Sequence, residues 1–119
     1  MKAYTNLEQS KKLVEILPIE SADMHYSTWT ILGGEFIVSP NQGDTIESMQ
    51  EDYGNQIIPC WSLAALLSVL PVSLNPLRDG KWNAMVQHDG KMIYVNKDNP
   101  VDACYELILK LNDKNGIFN

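Results

Sequence analysis

The pair Asp89-Gly90 constrains the fold of this chain more than any other local feature of the sequence. It stands between two segments rich in β-branched and aromatic residues, Trp82 to His88 and Lys91 to Val95. Asp-Gly favours the two-residue turn that joins antiparallel strands, because both central residues of that turn need a positive φ. The sequence therefore predicts a β-hairpin over residues 82–95.

A helix is predicted soon after this hairpin. Asn99 is a favoured N-cap residue, Pro100 fits the first helical position, and Asp102 suits the first turn. Apolar residues then recur at spacings of three and four, which is typical of a helix with one buried face. We expect this helix to run to about Asp113, with Gly116 placed to end it.

The first part of the chain carries signals of the same kinds. Thr5 and Glu8 have the spacing of a capping box, which predicts a first helix that starts at Thr5. Residues 21–39 are rich in β-branched and aromatic types on both sides of Gly33-Gly34. This pattern predicts a first hairpin with its turn at the two glycines.

The middle of the chain divides into a polar and an apolar segment. Residues 40–56 combine turn formers with acidic side chains, which predicts a long loop with one helical turn around Thr45 to Met49. Strong helix formers then lie between Pro59 and Pro71. They predict a short and largely buried helix that places Trp61 in the core.

The predicted order of elements is helix, two strands, loop, helix, two strands, helix. A connection through Asn75 and Pro76 is expected before the second hairpin. Two antiparallel hairpins packed with about three helices make an α+β fold, in contrast to an alternating parallel βαβ fold. At 119 residues the chain is expected to form a single domain over residues 1–119.

Charge and hydropathy narrow the classes of partner. The formal net charge is -6 and Arg78 is the single arginine, which argues against nucleic acid and favours a basic protein partner. Prolines and serines interrupt the longest apolar stretch, Ile57 to Leu74, so no membrane span is predicted. The polar N-terminal sequence lacks the apolar core of a signal peptide. We therefore expect a cytoplasmic protein.

Cys60 is the residue with the most direct catalytic interpretation. It stands at the start of the predicted buried helix, where a helix N-terminus lowers the pKa of a thiol. Together with Gln56 before it and His88 on a later strand, it resembles the papain-like cysteine peptidases. The resemblance implies that Cys60 is the nucleophile, His88 the base, and Gln56 part of the oxyanion hole. Pro59 and Trp61 stand where those peptidases have small residues, and we favour a buried structural cysteine.

Neither a metal nor a cofactor is predicted. The histidines and cysteines, His25, His88, Cys60 and Cys104, include no two within five residues of each other, whereas zinc ligands usually occur in close pairs. No nucleotide-binding glycine motif is present. Both cysteines are expected to be reduced, buried thiols.

An interface is predicted where acidic and aromatic side chains accumulate. The acidic residues of the middle segment lack the spacing of a calcium-binding loop and are interpreted as a contact surface for a basic partner. These residues are Asp44, Glu47, Glu51 and Asp52. Trp29, near the tip of the first hairpin, is expected to be exposed and to belong to the same interface.

Three groups of residues resemble one family over most of the chain. They are residues 6–13 (NLEQSKKL), residues 20–24 (ESADM) with residues 58–63 (IPCWSL), and residues 98–104 (DNPVDAC). The chain is similar in these segments to small proteins of gut bacterial prophages and mobile elements. The resemblance implies a phage or mobile-element context and no particular activity.

Three hypotheses follow for the function. The preferred one is a non-enzymatic accessory protein that binds another protein, because the sequence lacks a convincing catalytic set. The second is a cysteine hydrolase that uses Cys60 and His88. The third is a self-associating subunit in which hairpin edges or the last helix pair across a two-fold axis.

Overall fold

The described residues form two three-stranded antiparallel sheets and four helices, which is an α+β fold, as the sequence predicts. The computed structural model describes residues 1–28, 36–41, 45–53, 57–69 and 71–115. The helices are α1 (Leu7–Val14), α2 (Ile46–Tyr53), α3 (Leu63–Val69) and α4 (Pro100–Asn115). A 3₁₀ turn spans Ile19–Ser21. The strands are β1 (Met24–Thr28), β2 (Phe36–Pro40), β3 (Ile57–Cys60), β4 (Ser73–Pro76), β5 (Trp82–His88) and β6 (Lys91–Lys97).

The first sheet has the strand order β2-β1-β3. Strands β1 and β2 pair antiparallel with Tyr26 opposite Val38, which confirms the pairing predicted for the first hairpin. The predicted turn at Gly33-Gly34 lies outside the described residues. Strand β3 pairs with the other edge of β1, where Ile58 stands opposite Tyr26.

Strand β3 lies in a segment for which the sequence predicts an apolar stretch that leads into a helix, so that expectation is wrong. Pro59 has no N–H to donate, but β3 is an edge strand of the first sheet, and edge strands tolerate proline. The helix that follows starts at Leu63 and not at Cys60. Ser62 caps it, because the Ser62 Oγ accepts a hydrogen bond of 3.2 Å from the Ala65 N–H.

The second sheet has the strand order β4-β5-β6 and confirms the predicted Asp-Gly hairpin. His88 lies opposite Lys91, and the two turn residues have positive φ angles, 52° at Asp89 and 76° at Gly90. Both signs are those that the two-residue hairpin turn requires. Strand β6 continues to Lys97, two residues beyond the predicted end.

Strand β4 corrects the expected connection through Asn75 and Pro76. These residues pair with β5, where Asn75 lies opposite Asn83 and Pro76 opposite Trp82. Proline is again accommodated on an edge strand, because an edge strand bonds to a neighbour on one side only. Four residues without apolar alternation do not carry a recognisable strand signal.

The capping box of α1 is one residue later than the sequence suggested. The Asn6 Oδ1 accepts a hydrogen bond of 2.8 Å from the Gln9 N–H, and the Gln9 Oε1 accepts one of 3.0 Å from the Asn6 N–H. Asn6 is therefore the N-cap, and the predicted pair Thr5 and Glu8 is wrong. Thr5 is instead fully buried.

Helix α2 replaces most of the loop predicted for residues 40–56. It has eight residues instead of a single turn, and the Thr45 Oγ1 caps its start by accepting a hydrogen bond of 3.0 Å from the Ser48 N–H. Ile46 is buried and Met49 packs against the core. Two apolar side chains one turn apart therefore hold α2 against the rest of the molecule.

Helix α4 begins as predicted, and its first turn forms hydrogen bonds with the N-terminal segment. The Asn99 Oδ1 accepts a hydrogen bond of 2.8 Å from the Asp102 N–H, and Pro100 is the first helical residue. The Asp102 Oδ1 accepts hydrogen bonds of 2.7 Å from Lys2 and 2.9 Å from Gln9. Burial tends to raise the pKa of this carboxyl, but these bonds and one from Asn99 outweigh burial and lower the pKa.

Trp61 lies at the centre of the core, as predicted, with no exposed surface. Its backbone joins the N-terminal segment, because the Thr5 N–H donates to the Trp61 carbonyl at 2.9 Å and the Trp61 N–H donates to the Thr5 Oγ1 at 3.2 Å. Its indole Nε1 donates to the Ser21 Oγ at 2.9 Å. It belongs to one cluster with buried apolar residues from both sheets and from α1, α2, α3 and α4.

Replacement of the N-cap tests the corrected start of α1. Asn6→Ala removes the side chain that bonds the Gln9 N–H, and we expect the free energy of unfolding to fall by about 1 kcal/mol. Urea unfolding followed by circular dichroism measures this change. Glu8→Gln is the matched control and should stay within about 0.5 kcal/mol of the wild type. A larger loss in Glu8→Gln than in Asn6→Ala would restore the capping box at Thr5.

Candidate functional site

Cys60 ends β3 in a closed environment. The residue has no exposed surface, and its thiol lies 3.4 Å from the Thr5 carbonyl oxygen and 3.7 Å from the Thr5 hydroxyl. Burial raises the pKa of the Cys60 thiol, and smaller opposing effects of hydrogen bonds with Thr5 and Ser10 do not offset the rise. A nucleophilic cysteine needs the opposite conditions, a lowered pKa and access for substrate.

His88, the base of the peptidase hypothesis, does not lie in the same sheet as Cys60. His88 stands at the end of β5, in the second sheet, and its Nε2 lies 3.4 Å from the Asp89 Oδ2. Gln56 lies outside the described residues. Among the residues that the structure describes, no group of three or more His, Cys, Asp or Glu side chains is arranged to hold a metal ion.

Cys104 and Tyr26 are further titratable groups in buried surroundings. Burial raises the pKa of the Cys104 thiol from 9.0 to about 11. Burial also raises the pKa of Tyr26 to about 12, with a smaller effect of the neighbouring Cys60. Its hydroxyl donates a hydrogen bond of 2.8 Å to the Thr5 carbonyl oxygen. Tyr26 thus bonds to the N-terminal segment, and Cys104 is fully buried.

The predicted acidic interface is described in part. Glu47 and Glu51 lie four residues apart on α2, and both are exposed. They therefore stand on the same side of the helix, one turn apart. Asp44 and Trp29 lie outside the described residues, and the position of the Asp52 side chain is not described.

The second sheet presents an uncharged surface that the sequence analysis did not identify. Residues directly opposite in an antiparallel sheet share a face, so the register places alternate residues of β4, β5 and β6 on the side away from the core. We call this surface the outer face. It consists of Ser73, Asn75, Asn83, Met85, Gln87, Met92, Tyr94 and Asn96.

The outer face leaves large apolar side chains in solvent. Met92 is 55% exposed and Tyr94 is 57% exposed, although both lie on a regular strand. On the same face, the Asn83 side-chain amide donates a hydrogen bond of 2.8 Å to the Asn96 side-chain oxygen. This bond holds the two amide groups in fixed positions. None of the eight outer-face side chains carries a charge.

Lysines border this surface. Lys91 and Lys97 begin and end β6, and both are exposed. The ammonium group of Lys110, on α4, lies 5.9 Å from the centre of the Tyr94 ring and 3.4 Å from the Tyr94 carbonyl oxygen. Asp89 and Asp98 are the adjacent acidic residues, so the border carries both signs of charge.

The charges of the chain are divided unevenly between its two parts. Residues 70–119 contain equal numbers of acidic and basic side chains, so the whole net charge of -6 comes from residues 1–69. The acidic helix α2 belongs to the charged part and the outer face to the neutral part. The outer face could have been predicted from the sequence, because the Asp89-Gly90 turn fixes the register of β5 and β6 and side chains alternate between the two faces of each strand.

Comparisons with known proteins add no functional assignment. No protein-family model, curated protein or solved structure matches the chain. Within the described residues, no helix has the length and apolar character needed to cross a bilayer.

Burial of the two thiols predicts slow labelling. We expect Cys60 and Cys104 to react with the thiol reagent dithiobis(nitrobenzoate) only on unfolding, because both residues are fully buried and their pKa values are raised. Absorbance of the released thiolate with and without urea measures this. Rapid labelling of native Cys60 at neutral pH, lost in His88→Ala, would contradict the buried-thiol interpretation and favour the hydrolase hypothesis.

The raised pKa of Cys104 predicts a loss of stability in alkali. The unfolded thiol ionises near 9.0 and the folded thiol near 11, so the folded state binds more protons between these values. The stabilising contribution is therefore complete below pH 9.0 and is lost as the pH rises to about 11. Urea unfolding across this range measures the decrease. Cys104→Ala should reduce it, and an unchanged pH dependence in that variant would show that Cys104 is not its source.

Proposed function

We propose that the protein is a non-enzymatic protein-binding domain that contacts its partner through the outer face of the second sheet. The observation that carries the proposal is the exposure of Met92 and Tyr94 on a sheet surface without any charged side chain. In a sheet with one face in solvent, each strand normally alternates polar residues, which face the solvent, with apolar residues, which face the core. Apolar exposure on such a surface is typical of a place where another molecule binds.

The composition of the outer face supports a protein as the partner. The central parts of protein interfaces are depleted in charged residues and enriched in tyrosine and methionine. Tyr94 is a rigid aromatic group with a polar tip, and Met92 is a flexible apolar group that adapts to a partner surface. Two exposed asparagines of the same face, Asn75 and Asn96, supply amide donors and acceptors. Lys110, whose ammonium group lies 5.9 Å from the centre of the Tyr94 ring, places a positive charge at the edge of this face, as the polar rim of such interfaces does.

The acidic surface of α2 is a second candidate contact region. Glu47 and Glu51 are exposed, and they lie in the part of the chain that carries the entire net charge. Charges of one sign attract a partner of the opposite sign and accelerate its approach. We propose that this region favours a basic partner surface, while the outer face supplies the apolar contact.

The environment of Cys60 supports a non-enzymatic function over the hydrolase hypothesis. A thiol that is fully buried and has a raised pKa is poorly suited to attack a substrate. The sulfur is also in contact with Thr5, whose other hydrogen bonds hold the N-terminal segment to Trp61. Cys60 therefore has a sufficient structural explanation.

Affinity capture with matched variants tests the proposed function. The bait is the full chain, and the lysate comes from a gut bacterium that carries a related prophage, which is the context that the sequence resemblance implies. We expect a double variant, Met92→Glu with Tyr94→Glu, to weaken binding of the captured protein by more than about tenfold, because two charges would be buried at the contact. Mass spectrometry identifies the protein, and titration with the purified partner measures the affinity.

Two further variants separate the surfaces. Ile37→Glu places the same charge on the first sheet, at an apolar residue that is 45% exposed, and should leave binding unchanged. A double variant, Glu47→Gln with Glu51→Gln, should lower the association rate and its salt dependence if α2 contributes. A partner that binds the Met92 and Tyr94 variant with wild-type affinity would overturn the assignment of the outer face.

A second copy of this chain is the alternative partner for the outer face. Light scattering at high protein concentration is expected to give a monomer mass for the wild type. A dimer mass that reverts to the monomer in the Met92 and Tyr94 variant would identify a second copy of this chain as the partner, and would replace the proposed function by the third hypothesis.

A further inference from the structure

A groove of about 370 Å³ lies in the first half of the molecule, away from the outer face. Helix α1 contributes Lys11 and Val14 to its lining, β2 contributes Phe36, and α2 contributes Gln50. Residues 57–59 of β3 complete it. The volume lies at the lower end of the range for small-molecule sites, roughly 300 to 1,000 Å³.

The walls of the groove are mainly apolar. Phe36 and Ile58 are half-buried, and Val14 is 37% exposed although it is an aliphatic side chain. Phe36 and Ile58 lie on the same face of the first sheet, because the register places both on the side that carries Tyr26. These residues leave apolar surface in contact with solvent, and a hydrocarbon chain would remove that surface from water.

Among the described residues that line the groove, Lys11 is the one that carries a charge. Among the described residues it has no ion-pair or hydrogen-bond partner, whereas the ammonium group of its neighbour Lys12 lies 3.4 Å from the Glu15 carboxylate. A lysine at the margin of an apolar surface lays its methylene chain along the surface and keeps its ammonium group in water. The groove therefore combines apolar walls with one cation at its edge.

Gln50 is a second polar residue among the described lining residues, and its side chain already forms a hydrogen bond within the protein. Its Nε2 donates a hydrogen bond of 3.3 Å to the Ile57 carbonyl oxygen, which ties α2 to β3 at the side of the groove. The described lining residues therefore include few polar groups that would compete with Lys11 for a ligand. It fits a molecule with a short apolar body and a single negative charge.

We propose that this groove binds a small monocarboxylate with a hydrocarbon chain, with the chain against Val14, Phe36 and Ile58 and the carboxylate beside Lys11. The proposal concerns a different surface from the outer face and does not depend on the protein-binding function. The ion pair would be exposed to solvent and therefore weak, so the apolar contact supplies most of the affinity and Lys11 supplies the preference for an anion.

Titration with octanoate, below the concentration at which it forms micelles, tests the proposal. Backbone amide signals in nitrogen-15 NMR spectra report the position of binding, and saturable shifts are expected at Ile57 and Ile58. Lys11→Met should weaken octanoate binding about threefold to fivefold and leave the binding of uncharged octanol unchanged. Lys12→Met is the matched control, because Lys12 does not line the groove, and it should bind octanoate like the wild type.

A second variant separates the apolar contact from the charge. Val14→Gln keeps a helix-compatible residue of larger size and should weaken octanoate and octanol alike. The absence of saturable shifts at millimolar octanoate would overturn the proposal. Equal loss of octanoate binding in Lys11→Met and Lys12→Met would also overturn it, because the preference for anions would then be a general effect of positive charge on α1.

Discussion

The burial of Trp61 is the interaction on which the first half of the structure depends. The residue connects β3 to α3, and both its backbone groups bond to Thr5, so the N-terminal segment is fixed to the same point. Its indole reaches the 3₁₀ turn through Ser21. An aromatic side chain of this size removes roughly 150 to 250 Å² from water, which makes it a large contribution for a chain of 119 residues. The Trp61 side chain and its peptide groups therefore hold four segments together. They are β3, α3, the N-terminal segment and the 3₁₀ turn.

The same constraint explains why Cys60 and Thr5 are buried. The residue before Trp61 must face the interior formed by α1, and the Thr5 hydroxyl must point inward to accept the Trp61 N–H. A second buried hydroxyl, Ser10, lies 2.8 Å from that of Thr5 and completes the polar contact. Buried polar atoms are tolerated when they bond one another in this way. The burial of Cys60, the residue with the catalytic interpretation, therefore follows from the packing of Thr5 and Trp61.

The elements that could be predicted from the sequence are those with local causes. Asp89-Gly90 determines a turn, and Asn99 with Pro100 determines a helix start, because each effect acts within a few residues. The sequence predicts Thr5 as the N-cap, although asparagine is favoured at that position as much as threonine. Asn6 takes that role because Thr5 is used in the distant contact with Trp61. Sequence signals that act within a few residues do not reveal the distant contact between Thr5 and Trp61.

The remaining errors have the same origin. Strands β3 and β4 have four residues each and contain a proline, and they exist because longer strands beside them provide partners. The outer face was within reach of sequence reasoning, because a known hairpin register assigns every residue of β5 and β6 to a face. The groove was not within reach, because four elements from separate parts of the chain contribute to it.

The turn at Asp89-Gly90 also has a consequence for the order in which the chain folds. Strands β4, β5 and β6 and helix α4 pair or pack with near neighbours in sequence, so this part closes only short loops. The N-terminal segment is held in place only when Thr5 meets Trp61, across more than fifty residues. Short-range contacts form faster than distant ones. We expect the hairpin and α4 to be protected from hydrogen exchange early in refolding and the N-terminal segment to dock last.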